Sequence, residues 1–252
     1  MRARIFALAF IASLVTGTAW ADNTSAGGAY SLVPGGTPSE AYLNTTSTER
    51  WYSFTAFAGR SYCAETQGGV FFDTSSTAGQ IDTIVTVYRA DTTTAIVIND
   101  DMGQEPRGFR LSRACYIATA TEINYIKVVR FDPAAAFSIR TRIAETTLFS
   151  NWFFVGGDYS AFTLIRNTTN TSLSYTINWR NAAGTIVATT SSTIAGNGST
   201  ALDARAFVTT VVSGTVEIVH NSAPDAIMAT TTVLSGTTGL SFDTFFVKRA
   251  SW

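Results

Sequence analysis

The chain has 252 residues, of which 14% are charged, and its formal net charge at pH 7 is −1. A charge this close to zero provides no basic field for nucleic acid or anionic lipid, which argues against a polyanion receptor. Threonine, serine, β-branched and aromatic residues dominate the composition, as is typical of strands rather than helices.

The first residues have the three-part pattern of a secretory signal peptide. Arg2 and Arg4 give a positive start, residues 5–15 are almost all apolar, and residues 19–21 are Ala-Trp-Ala. About 11 apolar residues are too few for a transmembrane helix, which needs roughly 20. We therefore expect a cleaved signal peptide at residues 1–21 and a mature chain that begins at Asp22 without a membrane span. The protein would then be secreted, whether extracellular, at the cell surface or in the periplasm.

Both cysteines of the chain, Cys63 and Cys115, belong to the mature protein. An even number of cysteines in an exported protein favours a disulfide over free thiols. The alternative role, a cysteine nucleophile, needs a histidine partner within reach. The sequence predicts a Cys63–Cys115 bridge.

Alternation of apolar and polar residues recurs along the chain and predicts strands with one buried face. Leu173, Tyr175, Ile177 and Trp179 alternate with polar residues, and the turn sequence at 181–184 then predicts a hairpin. Trp179 should accordingly lie in a core.

Two blocks of such strands meet near residues 145–150, and each has about a hundred residues or slightly more, a common domain size. Many short strands separated by turn sequences favour β-sandwiches. The sequence thus predicts an all-β fold of two consecutive antiparallel β-sandwich domains, residues 22–145 and 146–252, after the signal peptide.

Four short motifs mark the first block: Trp-Tyr-Ser-Phe-Thr-Ala at 51–56, Asp-Thr at 82–83, Asn-Asp-Asp at 99–101 and Tyr-Ile-Lys-Val at 125–128. In this order, over residues 49–129, they resemble the bacterial pre-peptidase C-terminal domain. The resemblance implies a β-sandwich of the kind appended to many secreted peptidases. Glu-Ile-Asn-Tyr at 122–125 replaces the family's usual Gly-Thr-Tyr-Tyr pattern, so the last hairpin is expected to differ.

The second block begins with Phe-Phe-Val-Gly-Gly-Asp-Tyr at 153–159 and continues with Ala-Gly-Asn-Gly-Ser at 195–199. These segments look like those of a fibronectin- or immunoglobulin-like module of exported bacterial proteins. The resemblance implies architecture only.

Calcium is the one metal that the sequence favours. Asn99, Asp100 and Asp101 place hard oxygen ligands at the end of a predicted strand, and Asp82 lies before the preceding strand. Ca²⁺ takes six to eight such oxygens in proteins, and relatives of the first block sometimes bind it. The same three residues are also an ordinary turn sequence, so both interpretations stay open. No cofactor is required.

The sequence offers little for catalysis. His220 is the only histidine, so any Ser–His–Asp or Cys–His arrangement would depend on it. It lies at a predicted strand end, where a local hydrogen bond is the simpler role. A pair of carboxylates, as in glycoside hydrolysis, stays open because sequence does not give their separation.

Exposed aromatic residues are the remaining candidates for a contact with a partner. Trp51 begins a strand whose inward residues are expected to be Tyr52 and Phe54, so we predict that Trp51 faces outward as a partner contact. Trp152 lies at the join of the two blocks and could contribute to packing there.

These observations favour an exported, non-catalytic binding or structural protein that holds a protein or glycan partner. Two alternatives stay open: a carboxylate-dependent secreted hydrolase, and an accessory subunit of a separately encoded secreted peptidase. This expectation depends on analogy at the level of fold.

Overall fold

The computed structural model describes residues 23–69, 81–102 and 110–248. Within these ranges the chain forms strands and loops, and two three-residue 3-10 turns, Ala26–Gly28 and Ala204–Ala206, are the only helical segments. The predicted all-β fold is therefore confirmed. The predicted signal peptide lies outside the described residues. No helix of the described part of the chain is long and apolar enough to cross a membrane.

Nine strands of the described ranges, β1–β9, form what we call the N-terminal unit. They are β1 (Tyr30–Ser31), β2 (Ser39–Leu43), β3 (Glu49–Ala56), β4 (Ser61–Gly68), β5 (Thr83–Tyr88), β6 (Ala95–Asn99), β7 (Arg113–Ile117), β8 (Glu122–Arg130) and β9 (Phe137–Glu145). One sheet has the strand order β1-β3-β8-β5-β6 and the other β2-β9-β4-β7. A single cluster of buried side chains draws on both sheets, as expected for a sandwich.

The sequence pattern of β3 shows how this core is built. Tyr52 and Phe54 both point into the cluster, as predicted, because residues two apart on a strand face the same side of its sheet. Tyr52 and Phe54 are at most 2% exposed.

Eight further strands, β10–β17, form the C-terminal unit. They are β10 (Leu148–Val155), β11 (Tyr159–Asn167), β12 (Leu173–Asn181), β13 (Ile186–Ile194), β14 (Ser199–Asp203), β15 (Val212–Val219), β16 (Ile227–Ser235) and β17 (Ser241–Lys248). They are ordered β13-β12-β15-β10-β17-β16-β11-β14 in one sheet of antiparallel pairs. The predicted hairpin joins β12 to β13, and Trp179 is fully buried as predicted.

Strand β17 allows this sheet to fold around its own core. Its first half pairs with β16 from Ser241 to Phe245, whereas its end pairs with β10 from Phe246 to Lys248. Because one strand changes neighbours along its length, the sheet curves until β16 and β11 lie across the core from β12 and β15.

The predicted disulfide is present in the N-terminal unit. Cys63 on β4 lies directly opposite Cys115 on β7, with Cα atoms 4.0 Å apart, and a disulfide joins the two side chains. Cys63 is completely buried.

The two units meet along the short connection between β9 and β10. Thr146 donates its backbone N–H to the Ser61 carbonyl, and Ser61 donates its N–H to the Thr147 hydroxyl, both at 2.8 Å. The Thr146 hydroxyl also donates to the His220 carbonyl at 3.2 Å. The connection is thus tied to both units, although the predicted domain limits at residue 145 stay a prediction.

Candidate binding surface

A groove of about 980 Å³ runs along the outer face of the C-terminal unit, lined by β11, β14, β16 and β17. Leu164, Met228, Phe245 and Val247 contribute its most exposed apolar side chains, at 50, 64, 71 and 52% exposure. We call these four residues the apolar floor. Contiguous exposed apolar surface of this kind is typical of interaction sites, whereas single exposed apolar side chains need no explanation.

Cross-strand register brings the floor together. Leu164 lies opposite Ala201 on one side and Thr230 on the other, and Thr230 lies opposite Phe245. One row of side chains therefore crosses four strands, with directly opposed residues close enough to touch. The Met228 side chain belongs to the adjacent row. A continuous surface results from residues that are far apart in the sequence.

The alternation that buries one face explains why the floor is unusual. On β11 the inward residues Thr163 and Ile165 are at most 1% exposed, as expected for the core side. The outward residue Leu164 is apolar as well, although a solvated face of an antiparallel sheet normally carries polar residues. Here the sheet has apolar residues on both faces.

Charged residues lie at one end of the groove. Lys248 Nζ pairs with Asp225 Oδ1 at 2.5 Å, and both residues line the groove. Arg166 lies opposite Met228 and also lines it. Among the described residues, no ion pair or side-chain hydrogen bond includes the Arg166 guanidinium. The rim therefore presents a positive charge with hydrogen-bond donors free for a ligand.

His220 lies behind this rim, between the two units. It is 2% exposed, and its Nδ1 accepts the Ser222 N–H at 3.3 Å, which is the local hydrogen bond expected for a strand-end histidine. Burial, with a smaller contribution from the Lys248 charge, lowers the pKa of His220 to about 4. The imidazole is therefore neutral at physiological pH and part of the packing at the join.

A second apolar feature lies at the end of β10. The register with β15 shifts between Ser150 and Phe153, and this bulge re-aims Trp152. The Trp152 ring stacks with Phe154 at 6.5 Å and meets Phe242 edge-on at 6.3 Å, yet Trp152 is 37% exposed. Trp152 thus packs within the C-terminal unit rather than at the join.

The four residues of the predicted calcium site lie near one another. The Asn99 amide oxygen accepts the Arg113 N–H at 3.3 Å, and the Asp100 carbonyl accepts the Ser112 hydroxyl at 3.0 Å. Burial and then the nearby Asp101 carboxylate raise the pKa of Asp82.

No three histidine, cysteine or acidic side chains within the described ranges are arranged to hold a metal ion. A calcium site at Asp100 and Asp101, with Asn99 and Asp82, stays a prediction from the sequence.

The expectation for Trp51 needs a correction. Its side chain does point away from the core, but it is only 8% exposed. Tyr88 stacks on it at 5.5 Å, the Lys127 ammonium lies 5.3 Å from its ring centroid, and its indole N–H donates to Glu49 at 2.8 Å. Because neighbouring side chains cover the ring, Trp51 is not a free partner contact.

Sequence reasoning also missed a buried carboxylate. Glu65 on β4 is 1% exposed and accepts hydrogen bonds from the guanidinium groups of Arg113 on β7 and Arg142 on β9. Alternation along β4 places Glu65 on the same outward side as Cys63, where a carboxylate would be expected to be exposed, and only the register with β7 and β9 brings the two arginines over it. The group is a structural anchor, because each carboxylate oxygen has its own cationic partner.

Comparison with known proteins gives no family. No family model matches the chain, and no curated protein matches it. The resemblances of the two blocks to pre-peptidase C-terminal and fibronectin- or immunoglobulin-like domains therefore stay predictions.

Solved structures give distant similarities only. One is a glycosyl hydrolase family 2 member from Bacteroides cellulosilyticus, with 8% identity and a TM-score of 0.23 over 82% of this chain and 28% of that chain. Another is a β-glucuronidase from Bacteroides uniformis, with 10% identity and a TM-score of 0.21 over 81% of this chain and 26% of that chain. This chain spans under a third of their length, and similarity at these scores carries no functional argument.

Proposed function

We propose that the chain is an exported, non-catalytic binding protein and that a partner protein docks on the apolar floor of the C-terminal unit. The observation that carries the proposal is the exposure of Leu164, Met228, Phe245 and Val247 in one groove. The leader-like residues 1–21 and the Cys63–Cys115 bridge support export, because disulfides persist in oxidising compartments.

The chemistry of the groove favours a protein over a glycan. Leucine, methionine, valine and phenylalanine side chains gain free energy when apolar groups of a partner remove them from water, at about 25 cal/mol per Å². The hydroxyl groups of a sugar would lose hydrogen bonds to water on the same surface without replacement. The partner should therefore present leucine-like or aromatic side chains.

The rim adds a charge requirement. Arg166 lies beside Met228 without an ion pair among the described residues. A carboxylate of the partner could therefore form an ion pair with its guanidinium. Complementary charges at a rim contribute mainly to association rate and orientation. We expect the partner to carry an acidic residue next to its apolar side chains.

Affinity capture from the native secreted fraction, followed by titration of the purified partner, tests the proposal. Phe245→Glu and Arg166→Glu should each weaken binding, the first because a carboxylate is placed on the apolar floor and the second because the rim charge is reversed. Ile123→Glu is the matched control, since Ile123 is an exposed strand residue of the N-terminal unit, at 50% exposure. A partner that binds all three variants like the wild type would overturn the assignment of this surface.

Other results would replace the proposal. Inhibition of capture by free oligosaccharides, with no effect of Phe245→Glu, would assign a glycan partner. Glycan hydrolysis by the purified chain that is lost on replacement of a single acidic residue would establish the hydrolase alternative. Capture of a secreted peptidase through the apolar floor would make the chain its accessory subunit.

A further inference from the structure

Strand β13 is an edge strand of unusual form for this molecule. It has nine residues, and among the described strands it is hydrogen-bonded only to β12, on one side. The other edge strands of the described sheets have two to five residues. Ile-Val-Ala-Thr-Thr-Ser-Ser-Thr-Ile, at 186–194, contains no charged residue, proline or glycine.

Natural sheets usually protect such an edge, because its free N–H and C=O groups can pair with another strand. Charged residues, prolines, bulges and short length are the usual devices. On β7, Arg113 provides a charge, and on β2, Glu40 pairs with Arg140. β13 has one bulge near its start, where Arg180 lies opposite Ile186 and Trp179 opposite Ala188. Residues 188–193 beyond the bulge have none of these devices, whereas the Ile194 carbonyl accepts hydrogen bonds from Asn167 and Ser172.

The sequence of this free segment is nearly symmetric about Thr190. Suppose that two copies pair antiparallel so that their Thr190 residues lie opposite each other across a two-fold axis. Thr189 of one copy then lies opposite Ser191 of the second copy. Ala188 likewise faces Ser192 of the second copy. The two central positions on each side are therefore small or hydroxyl-bearing, and no like charges oppose each other.

The existing β12–β13 pair shows that this strand forms hydroxyl contacts across a ladder. Ser191 Oγ lies 2.8 Å from Thr176 Oγ1, and the Thr189 hydroxyl donates to the Asn178 side chain at 2.8 Å. Both Thr189 and Ser191 are exposed, and both lie on the outer face of the sheet, opposite the face that carries Ile177. A second copy would extend the same hydroxyl row.

We propose that β13 is a self-association edge, at which two copies of this chain pair antiparallel through residues 188–192 to form one continuous sheet. The two-fold axis passes between the two Thr190 residues. Odd-numbered residues of one copy then lie opposite odd-numbered residues of the other, and directly opposed residues share one face of a sheet. The cores of both copies therefore lie on the same side of the joined sheet. This edge is separate from the apolar floor, so the dimer would present two partner-binding grooves.

Charge substitution at the two facing positions tests both association and register. Sedimentation velocity of the mature chain over a concentration series should show a monomer–dimer equilibrium. Thr189→Lys with Ser191→Lys places lysines opposite lysines and should raise the dimer dissociation constant by about tenfold or more. Thr189→Glu with Ser191→Glu should do the same.

The matched controls use the same two positions. Thr189→Lys with Ser191→Glu places each lysine opposite a glutamate of the second copy and should retain the dimer. An equimolar mixture of the all-lysine and all-glutamate variants should form a heterodimer, which also shows that both variants fold. A wild type that stays monomeric at every concentration would overturn the proposal, as would dimerisation of the wild type that both like-charge variants retain.

A pull-down result does not decide this question. Loss of partner capture in Phe245→Glu concerns the apolar floor, whereas β13 variants change the oligomeric state. Failure of either proposal therefore leaves the other intact.

Discussion

Trp51 in the N-terminal unit and Phe245 in the C-terminal unit both point outward from their sheets, but they differ in exposure. In the N-terminal unit, Trp51 is covered by Tyr88 and by the Lys127 side chain, and it is 8% exposed. In the C-terminal unit, Phe245 is 71% exposed, and among the described residues no aromatic pair includes it. The two rings thus differ in whether neighbouring side chains cover them.

The placement of an ion pair accounts for part of this difference. Lys127 pairs with Glu49 at 2.6 Å directly over the Trp51 ring, so its aliphatic stem shields the indole. The corresponding pair in the C-terminal unit, Lys248 with Asp225, lies at the end of the groove and leaves the centre open. The ion pair therefore covers Trp51 in the first unit, whereas Phe245 in the second stays exposed to water.

The largest expected effect concerns the bridge that only the N-terminal unit has. Replacing both Cys63 and Cys115 with alanine should lower the free energy of unfolding by about 4 kcal/mol, because the bridge closes a long loop in the unfolded chain. Urea unfolding followed by tryptophan fluorescence and circular dichroism measures the change. Reduction of the wild type with dithiothreitol should give the same shift. An unchanged midpoint in both experiments would show that the bridge adds no stability to this unit.

The second largest expected effect is a loss of stability at low pH that arises from His220, at the join between the units. Its pKa is about 4 in the folded chain, against an ordinary value of 6.5 for a solvent-exposed histidine, so the unfolded chain binds the proton more readily. Stability is complete above about pH 6.5 and falls as the pH decreases toward about 4, by up to about 3 kcal/mol for this group alone.

Unfolding at pH 7 and pH 5 measures this slope in the wild type and in His220→Gln. The variant should lose the contribution of His220 and therefore show a smaller difference between the two pH values. Equal slopes would mean that the imidazole is not the group that titrates.

Much of the fold could be predicted from sequence because it depends on local patterns. Alternation along β12 indicated the buried Trp179, and the even cysteine count indicated the bridge. The same alternation correctly predicts that Trp51 points outward, since Tyr52 and Phe54 point into the core and successive residues of a strand face opposite sides.

The covering of Trp51 and the apolar floor could not be predicted in the same way. Tyr88 and Lys127 reach Trp51 from other strands of its sheet, and only the register places them there. Leu164, Met228 and Phe245 likewise come from three strands. One local signal existed: β11 has apolar residues on both faces, because Leu164 stands between the buried Thr163 and Ile165.

The smallest expected effect is also the direct test of the comparison, in the paired variants Trp51→Ala and Phe245→Ala. Trp51→Ala removes the stacking contact with Tyr88 and an indole hydrogen bond, so it should cost about 2 kcal/mol of stability. Phe245→Ala removes a ring that water already surrounds, and its effect should stay within about 0.5 kcal/mol. Urea unfolding midpoints of the two variants, each compared with the wild type, measure the two losses of stability. A large loss in Phe245→Ala would mean that the floor stabilises its own unit, and the case for a docking partner would weaken accordingly.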